Sequence, residues 1–125
     1  MADPPASRRS WSTALRAGPT TSSEARWFLL EALRDEDVAS DVGDAALLAT
    51  EVASNAAHHG REPIEIGITL EDEGLRVSVF DRGPGFDPTD EAVRTTGSGI
   101  NLIEALASEW GVDRTDDGTD VWFRI

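Results

Sequence analysis

Two stretches of alternating apolar residues, joined by a tight turn, constrain the fold of this chain more than any other feature. Isoleucine alternates with polar or small residues over 64–68, and leucine and valine do the same over 75–79, after a turn at 72–74. A period of two places the apolar side chains of a strand on one face. The segment 64–81 is therefore predicted to form two antiparallel, half-buried strands that end at Asp81.

Helical patterns precede this pair of strands. A first helix is predicted over about 21–35, because Thr21 or Ser22 can cap its N-terminus. A second helix is predicted over about 41–59, and Gly60 follows it as a C-terminal stop. Both helices lie before the strands in the chain, so they are expected to pack on the sheet together.

One strand and a second helix–hairpin unit complete the pattern. A short edge strand is predicted over 9–15, and a helix over about 99–110. A strand is then expected to begin at Val112, with a turn at 117–118 and a closing strand over 121–125. This order predicts an α+β fold, a two-layer α/β sandwich in which three helices cover one face of a mostly antiparallel sheet.

Length and charge limit the classes of function that need to be considered. A chain of 125 residues predicts one domain, which we place at 8–125 after a disordered tail at 1–7. Hydrophobic residues make up 39% of the chain, enough for a core despite a net charge of −13. This acidity disfavours direct binding to nucleic acid or to anionic membranes, which require basic surface. The absence of cysteine excludes disulfides and thiolate metal sites. No apolar leader is seen, so a cytoplasmic location is expected.

All eleven basic residues are arginine, so the chain contains no lysine. A Walker A phosphate loop, Schiff-base chemistry and the ordinary protein-kinase site all need a lysine. Backbone amides, a metal ion and arginine would therefore have to neutralise the phosphates of any bound nucleotide. A GC-rich genome explains the same bias without any functional reason.

Glu51 and Asn55 are four residues apart on the second predicted helix and so project from the same side. They are predicted to lie roughly opposite an apolar stripe that comprises Val42, Ala45, Ala49, Val52 and Ala56. A carboxylate and a carboxamide one turn apart suit a general base beside a ligand for a hard cation. Taken alone, the pair is better explained as part of an ordinary solvated helix face.

Three further segments carry glycine where a ligand could approach the main chain. Segment 81–86 reads Asp-Arg-Gly-Pro-Gly-Phe directly after a strand, and its carboxylate could accept a hydrogen bond from an exocyclic amine. Segment 96–102 reads Thr-Gly-Ser-Gly-Ile-Asn-Leu at the start of a helix, where free amides favour an anion. Segment 118–123 reads Gly-Thr-Asp-Val-Trp-Phe. An ordinary turn, a flexible helix entry and a last hairpin are the structural alternatives.

The four segments together, in this order and spacing, resemble the Bergerat-fold ATPases. That superfamily contains histidine kinases, type II topoisomerases, a chaperone and a mismatch-repair ATPase. The single-domain form of this chain is most similar to the bacterial anti-sigma-factor serine/threonine kinases, particularly over 50–60 and 118–123. The resemblance covers about residues 22–125. It implies ATP and Mg²⁺ as ligands.

The resemblance also implies a role for residues of the first two segments. Glu51 would be the general base that acts on a seryl or threonyl hydroxyl, and Asn55 would bind both the Mg²⁺ ion and the nucleotide. Asp81 would accept a hydrogen bond from N6 of adenine. Gly83 would shape the turn that follows, and Gly85 would lie against the base.

The remaining implied roles fall on the later segments. Thr119 would support the adenine through a water molecule. Gly97, Ser98 and Gly99 would form the hinge of a lid over about 86–96 and contact the phosphates. Many kinases of this family have arginine where this chain has Ser98, so kinase activity is less strongly implied than nucleotide binding. Arg94 is a candidate to replace that arginine.

Three functions remain open at this stage. The first is a kinase that binds a sigma factor and phosphorylates an anti-sigma antagonist, with a homodimer as a further option. The second is a non-catalytic, ATP-dependent switch that binds proteins. The third, a phosphotransfer unit separated from a histidine kinase, is disfavoured because no dimerisation helix with a phosphorylatable histidine precedes the domain.

Two other features receive structural interpretations. His58 and His59 are adjacent, so on a helix their side chains diverge by roughly 100° and do not form a zinc site by themselves. His59 is expected to be structural. Trp11 and Trp27 are expected to be at least partly buried.

Overall fold

The computed structural model describes residues 9–90 and 99–125. Within these residues the strands form one five-stranded sheet in the order β1-β2-β3-β5-β4. The strands are β1 (Arg9–Leu15), β2 (Ile64–Glu71), β3 (Gly74–Asp81), β4 (Glu109–Thr115) and β5 (Gly118–Arg124). Every neighbouring pair is antiparallel. The predicted edge position of β1 and the predicted antiparallel sheet are confirmed.

Helices in the described residues are α1 (Thr21–Leu33), α2 (Val42–His59) and α3 (Ile100–Leu106). They pack on the sheet face that carries the apolar residues of each strand. The isoleucines of β2 at 64, 66 and 68 are all buried, as their alternation predicts. The two-layer α+β sandwich is therefore confirmed. Among the described residues, no helix is both long and apolar enough to cross a membrane.

The helix predicted over 99–110 is shorter than expected, because α3 ends at Leu106. Residues 109–111 instead begin β4, and Trp110 pairs with Phe123 of β5. The Ser108 amide donates to the Arg124 carbonyl at 2.8 Å, which brings the chain onto the sheet edge. Pairing within the β4–β5 hairpin thus overrides a sequence that contains no helix breaker before Gly111.

Smaller boundary differences occur at other elements. α1 ends at Leu33 rather than near Asp35. β4 begins at Glu109 rather than at Val112, and β5 covers 118–124 rather than 121–125. The tail predicted over 1–7 lies outside the described residues.

The buried face of α2 is wider than the predicted stripe. Ala46, Leu48 and Ala53 are buried in addition to the predicted alanines and Val52. Glu51 and Asn55 are both half-buried, so they border this face rather than lying opposite it. Trp11 is half-buried against the core as expected. The expectation for Trp27 is wrong, because this side chain is 67% exposed on the outer side of α1.

Candidate functional site

A cavity of about 260 Å³ lies between the sheet and helices α2 and α3. Its walls are mostly apolar, with a few polar groups from three of the four segments singled out in the sequence. The lining residues are Val52, Asn55, Ala56, His59, Gly60, Val79, Asp81, Gly85, Phe86, Ile100, Ile103, Thr119 and Val121. An apolar cavity with few polar groups is typical of a small-molecule site, and in such sites the polar groups set the ligand's orientation.

Asp81 provides the one buried carboxylate among the described residues, with 6% of its surface exposed. It is the last residue of β3, and its Oδ1 accepts a hydrogen bond of 2.6 Å from the Gly83 amide. That bond fixes one carboxylate oxygen and leaves Oδ2 as an acceptor for a group in the cavity. Because a buried carboxylate needs hydrogen-bond donors, this geometry favours a ligand that carries an N–H at this point.

Thr119 lies beside Asp81, since the two residues pair across β3 and β5. Its hydroxyl is 1% exposed and donates to the Gly83 carbonyl at 3.0 Å. The Gly83 peptide is therefore bound on both sides, by Asp81 at its amide and by Thr119 at its carbonyl. This interlocked arrangement holds the turn after β3 against the C-terminal strand.

Gly85 packs directly on Thr119. The φ angle of Gly85 is +75°, a left-handed conformation that side chains other than glycine rarely adopt. A Cβ atom at this position would overlap the Thr119 Oγ1 atom and lie 3.0 Å from Cδ of Arg114. Glycine is required here both by the backbone and by the close approach to the neighbouring strands.

The Glu51 end of the site is formed by α2 and the start of α3. Asn55 lines the cavity. Glu51 lies outside the lining, and its side chain is close to Gly99. A Cβ on Gly99 would lie 3.1 Å from Oε2 of Glu51, and the φ of Gly99 is +84°. The structure thus brings Glu51 to the beginning of α3, as the predicted roles require. Gly97, Ser98 and Arg94 lie outside the described residues, as does the lid beyond residue 90.

Two lining residues, His59 and Gly60, are not among the predicted ligand-binding residues. In the sequence, Gly60 is indicated as a helix stop and as the last residue of the segment 50–60 that resembles the kinases, with no role in binding. In the structure it forms the wall beside Asp81. Its position next to a residue 21 places further along the chain depends on tertiary packing, so no local sequence signal could indicate it. The ring of His59 is exposed to solvent at the cavity edge.

Two carboxylates that do not line the cavity, Asp87 and Asp120, have pKa values that differ from their usual range. The Thr89 hydroxyl donates to Asp87 at 2.7 Å and the Thr89 amide at 2.9 Å. These two hydrogen bonds hold the pKa of Asp87 below its usual range, and the bond from the hydroxyl has the larger effect. The positive charge of Arg114 lowers this pKa to a smaller extent. On the opposite, uncovered face of the sheet, partial burial raises the pKa of Asp120. Neither carboxylate faces the cavity.

The oxygen and nitrogen atoms that line the cavity fit a metal ion that is bound mainly by the phosphates of a nucleotide. Within the described residues, no group of three histidine, cysteine or acidic side chains could hold a cation. Mg²⁺ is commonly bound by one or two protein oxygens together with phosphate oxygens and water. A single amide oxygen from Asn55 would meet that requirement, whereas a site made only of protein ligands is not present among these residues.

Comparison with known proteins gives one family. The family model described as the histidine kinase-like ATPase domain matches residues 15–125. No curated protein matches the chain significantly.

Solved structures that are similar to the chain include the following three. One contains the RsbU and RsbW domains of Rv1364c from Mycobacterium tuberculosis, with 24% identity and a TM-score of 0.69 over 93% of this chain and 32% of that chain. The histidine kinase domain of the Erythrobacter litoralis EL346 blue-light activated histidine kinase has 29% identity and a TM-score of 0.52 over 67% of this chain and 43% of that chain. A second structure of that kinase has 29% identity and a TM-score of 0.53 over 67% of this chain and 30% of that chain. The chain thus spans less than half the length of each of these solved chains.

Proposed function

The chain belongs to the histidine kinase-like ATPase domain family, and on that premise we propose that it is an ATP-binding regulatory protein that phosphorylates a protein partner on serine or threonine. In this proposal residues 8–125 form one nucleotide-binding domain. The observation that carries the proposal is the buried Asp81 carboxylate, whose Oδ2 is left to accept a hydrogen bond inside an apolar cavity. Adenine fits this requirement, because its exocyclic N6 is a donor on a flat apolar ring.

The base would lie against Gly85 and between the apolar walls, with N6 on Asp81. Thr119 would contact the base through a water molecule, in addition to its hydrogen bond to Gly83. A cavity of about 260 Å³ is slightly smaller than the usual range of roughly 300–1,000 Å³ for small-molecule sites. It would therefore enclose the base and part of the sugar, with the phosphates extending towards Asn55 and Gly99.

Phosphoryl transfer would take place at the Glu51 end. Mg²⁺, when bound, supplies charge neutralisation on the phosphate oxygens. Asn55 would hold that ion, and Gly97, Ser98 and Gly99 would offer contacts to the phosphates. Glu51 would accept the proton of the attacking hydroxyl, which requires its carboxylate to be within about 3 Å of that oxygen. The half-buried position of Glu51 beside Gly99 supports this assignment.

The partner is inferred from one structural relative and from the resemblance of the sequence. The Rv1364c structure contains an RsbW domain, and the sequence resembles anti-sigma-factor kinases. We assign to this chain a sigma factor as bound partner and an anti-sigma antagonist as substrate, which makes it a bacterial regulator of transcription. Two copies of the chain are proposed to form the unit that binds the sigma factor.

A non-catalytic switch is the alternative, and Ser98 is the observation that favours it. An arginine in the lid would neutralise charge on the transferred phosphoryl group, a contact worth about 10³- to 10⁵-fold in rate in related chemistry. Without it, the chain could still bind ATP and change its affinity for a partner. The Ser98→Arg variant tests this alternative. Phosphoryl transfer should rise in the variant if the lack of an arginine at position 98 limits the wild-type rate. The rate should stay the same if Arg94 already supplies the positive charge.

The test is transfer from γ-labelled ATP to the antagonist protein co-purified from the native host. We expect label on serine or threonine of the partner that is stable in acid, and none with Glu51→Ala. Label on histidine, which is lost in acid, would indicate histidine-kinase chemistry instead. ATP binding without transfer to any partner would replace the kinase by the nucleotide-dependent switch. Absence of ATP binding by calorimetry would contradict both.

A further inference from the structure

We infer that Gly60 is a positioning residue for Asp81 and that it thereby sets the preference of the cavity for purines with a 6-amino group. This inference rests on the proposed role of Asp81 as the acceptor for N6. Gly60 follows helix α2, and Asp81 ends strand β3. The two residues meet at the wall of the cavity, which both of them line.

The backbone of Gly60 does not need glycine. Its φ and ψ angles are −94° and −165°, an extended conformation that any residue can adopt. Helices that end at glycine commonly use the left-handed conformation, which other residues avoid. Gly60 does not, so its backbone conformation explains nothing about the residue type. The reason must be the space that a side chain would occupy.

That space is filled by the Asp81 carboxylate. A Cβ atom built on Gly60 would lie 2.5 Å from Asp81 Oδ1 and would also overlap its Cγ. Carbon and oxygen atoms in contact normally lie well over 3 Å apart, so the carboxylate would have to rotate or move. The main chain of Gly60 is therefore a wall against which this carboxylate rests.

Gly83 confines the same carboxylate oxygen together with Gly60. A Cβ on Gly83 would lie 2.8 Å from Oδ1 and 2.9 Å from Cα of Gly60. The Gly83 amide donates to Oδ1 at 2.6 Å. The adjoining Arg82 amide donates to the Arg61 carbonyl at 2.9 Å, which ties the two segments together. Two adjacent glycines thus leave just enough space for Oδ1, and this leaves Oδ2 to face the ligand.

The decisive measurement compares ATP with purine riboside triphosphate, which lacks the 6-amino group but keeps the ring, sugar and phosphates. Wild type is expected to bind ATP at least about tenfold more tightly, because a hydrogen bond to a charged group would be lost with the analogue. In Gly60→Ala that preference is expected to fall to about twofold or less. Affinity for the analogue should stay within about twofold, since it makes no bond to Asp81.

A ligand-free readout is available in the Gly83 amide proton. A short hydrogen bond to a carboxylate moves an amide proton resonance downfield, so Gly83 should be shifted in the wild-type NMR spectrum. In Gly60→Ala this resonance should return towards the usual amide range as Oδ1 moves away. Gly18→Ala is the matched control, because a Cβ on Gly18 would have no atom within 4 Å. That variant should keep both the resonance and the ATP preference.

The outcomes separate this inference from the proposed function. Equal affinity of wild type for ATP and the analogue would remove the base assignment, and the inference with it. A wild-type preference that survives in Gly60→Ala would overturn only the role of Gly60. A Cβ at position 60 would also lie 2.7 Å from the Ala56 carbonyl, so the variant could lose its fold. In that case Gly83→Ala, whose Cβ would also lie too close to Oδ1, must show the same loss of preference.

Discussion

The Asp81 end of the cavity is held by hydrogen bonds between two strand side chains and the backbone of Gly83, whereas the Glu51 end lies between two helices. Asp81, Gly83 and Thr119 interlock across two paired strands, and all three are buried. Glu51 and Asn55 are half-buried on α2 and face a short helix that begins at Gly99. A rigid sheet end suits recognition of a base, and a boundary between helices suits a step that needs movement. The two ends should therefore respond differently to mutation.

The largest expected effect is at the Glu51 end. Glu51→Ala should lower the rate of phosphotransfer by roughly 10²- to 10⁴-fold, the usual contribution of a general base. ATP affinity should stay within a few fold, because the carboxylate does not line the cavity. Transfer kinetics and calorimetry on the same preparation measure both quantities.

Glu51→Gln serves as the conservative partner of that variant. It keeps the shape beside Gly99 but cannot accept the proton, so it should be as slow as the alanine variant. A glutamine variant with wild-type transfer would mean that Glu51 acts through packing. A large loss of ATP affinity in either variant would show that the two ends are not separate.

Asn55→Ala is expected to affect both ends, with a smaller effect on rate. Removal of the metal ligand should lower transfer by about a hundredfold and weaken Mg-ATP as well, because the ion bridges the phosphates. ATP affinity measured in EDTA should be nearly the same as that of wild type. Equal losses with and without Mg²⁺ would contradict the metal assignment.

Asp81→Asn should weaken ATP by at least about tenfold, or about 1.4 kcal/mol, because a charge-assisted acceptor is lost. Calorimetry with Mg-ATP measures the change. Asp35→Asn is the matched control, since it removes the same charge from a side chain that is 89% exposed after α1. Unchanged affinity in a folded Asp81→Asn protein would remove the adenine assignment.

The smallest expected effect is that of Thr119→Val. This change removes the donor to the Gly83 carbonyl while nearly preserving the volume, so the free energy of unfolding should fall by about 1 kcal/mol. ATP affinity should fall only a few fold, because Asp81 retains its bond to the Gly83 amide. Urea unfolding measures the change in stability, and calorimetry measures the change in ATP affinity. A loss of ATP affinity as large as that in Asp81→Asn would mean that Thr119 contributes as much to binding as Asp81.

Sequence patterns identify the fold because alternation and helix caps are local properties. The alternation of the isoleucines at 64, 66 and 68 is enough by itself to assign all three to one buried face. The end of α3 has no such local signal, because residues 109–111 pair with residues 122–124 of β5, and the pattern within 99–110 does not reveal that pairing.

The residues of the site also fall into those that the sequence predicts and those that it does not. Spacing and resemblance single out four residues that line the cavity, which are Asn55, Asp81, Gly85 and Thr119. Gly60 is indicated in the sequence as a helix stop and as the end of the segment 50–60 that carries the resemblance, but neither signal predicts a contact with Asp81. Its contact with Asp81 exists only once α2 lies on β3, so periodicity could not reveal it.

Strand β5 lies between β3 and β4, although it follows β4 in the chain. Strand β5 must therefore pair with β3 before Thr119 can meet Asp81. A ligand that contacts both residues binds only the paired state, and it stabilises that state in proportion to the logarithm of its concentration over Kd. Amide hydrogen exchange in β5 would then slow when ligand is added, with little change in α1, where no lining residue lies. A bound nucleotide would thus stabilise the pairing of β5 with β3, two strands that are far apart in the chain.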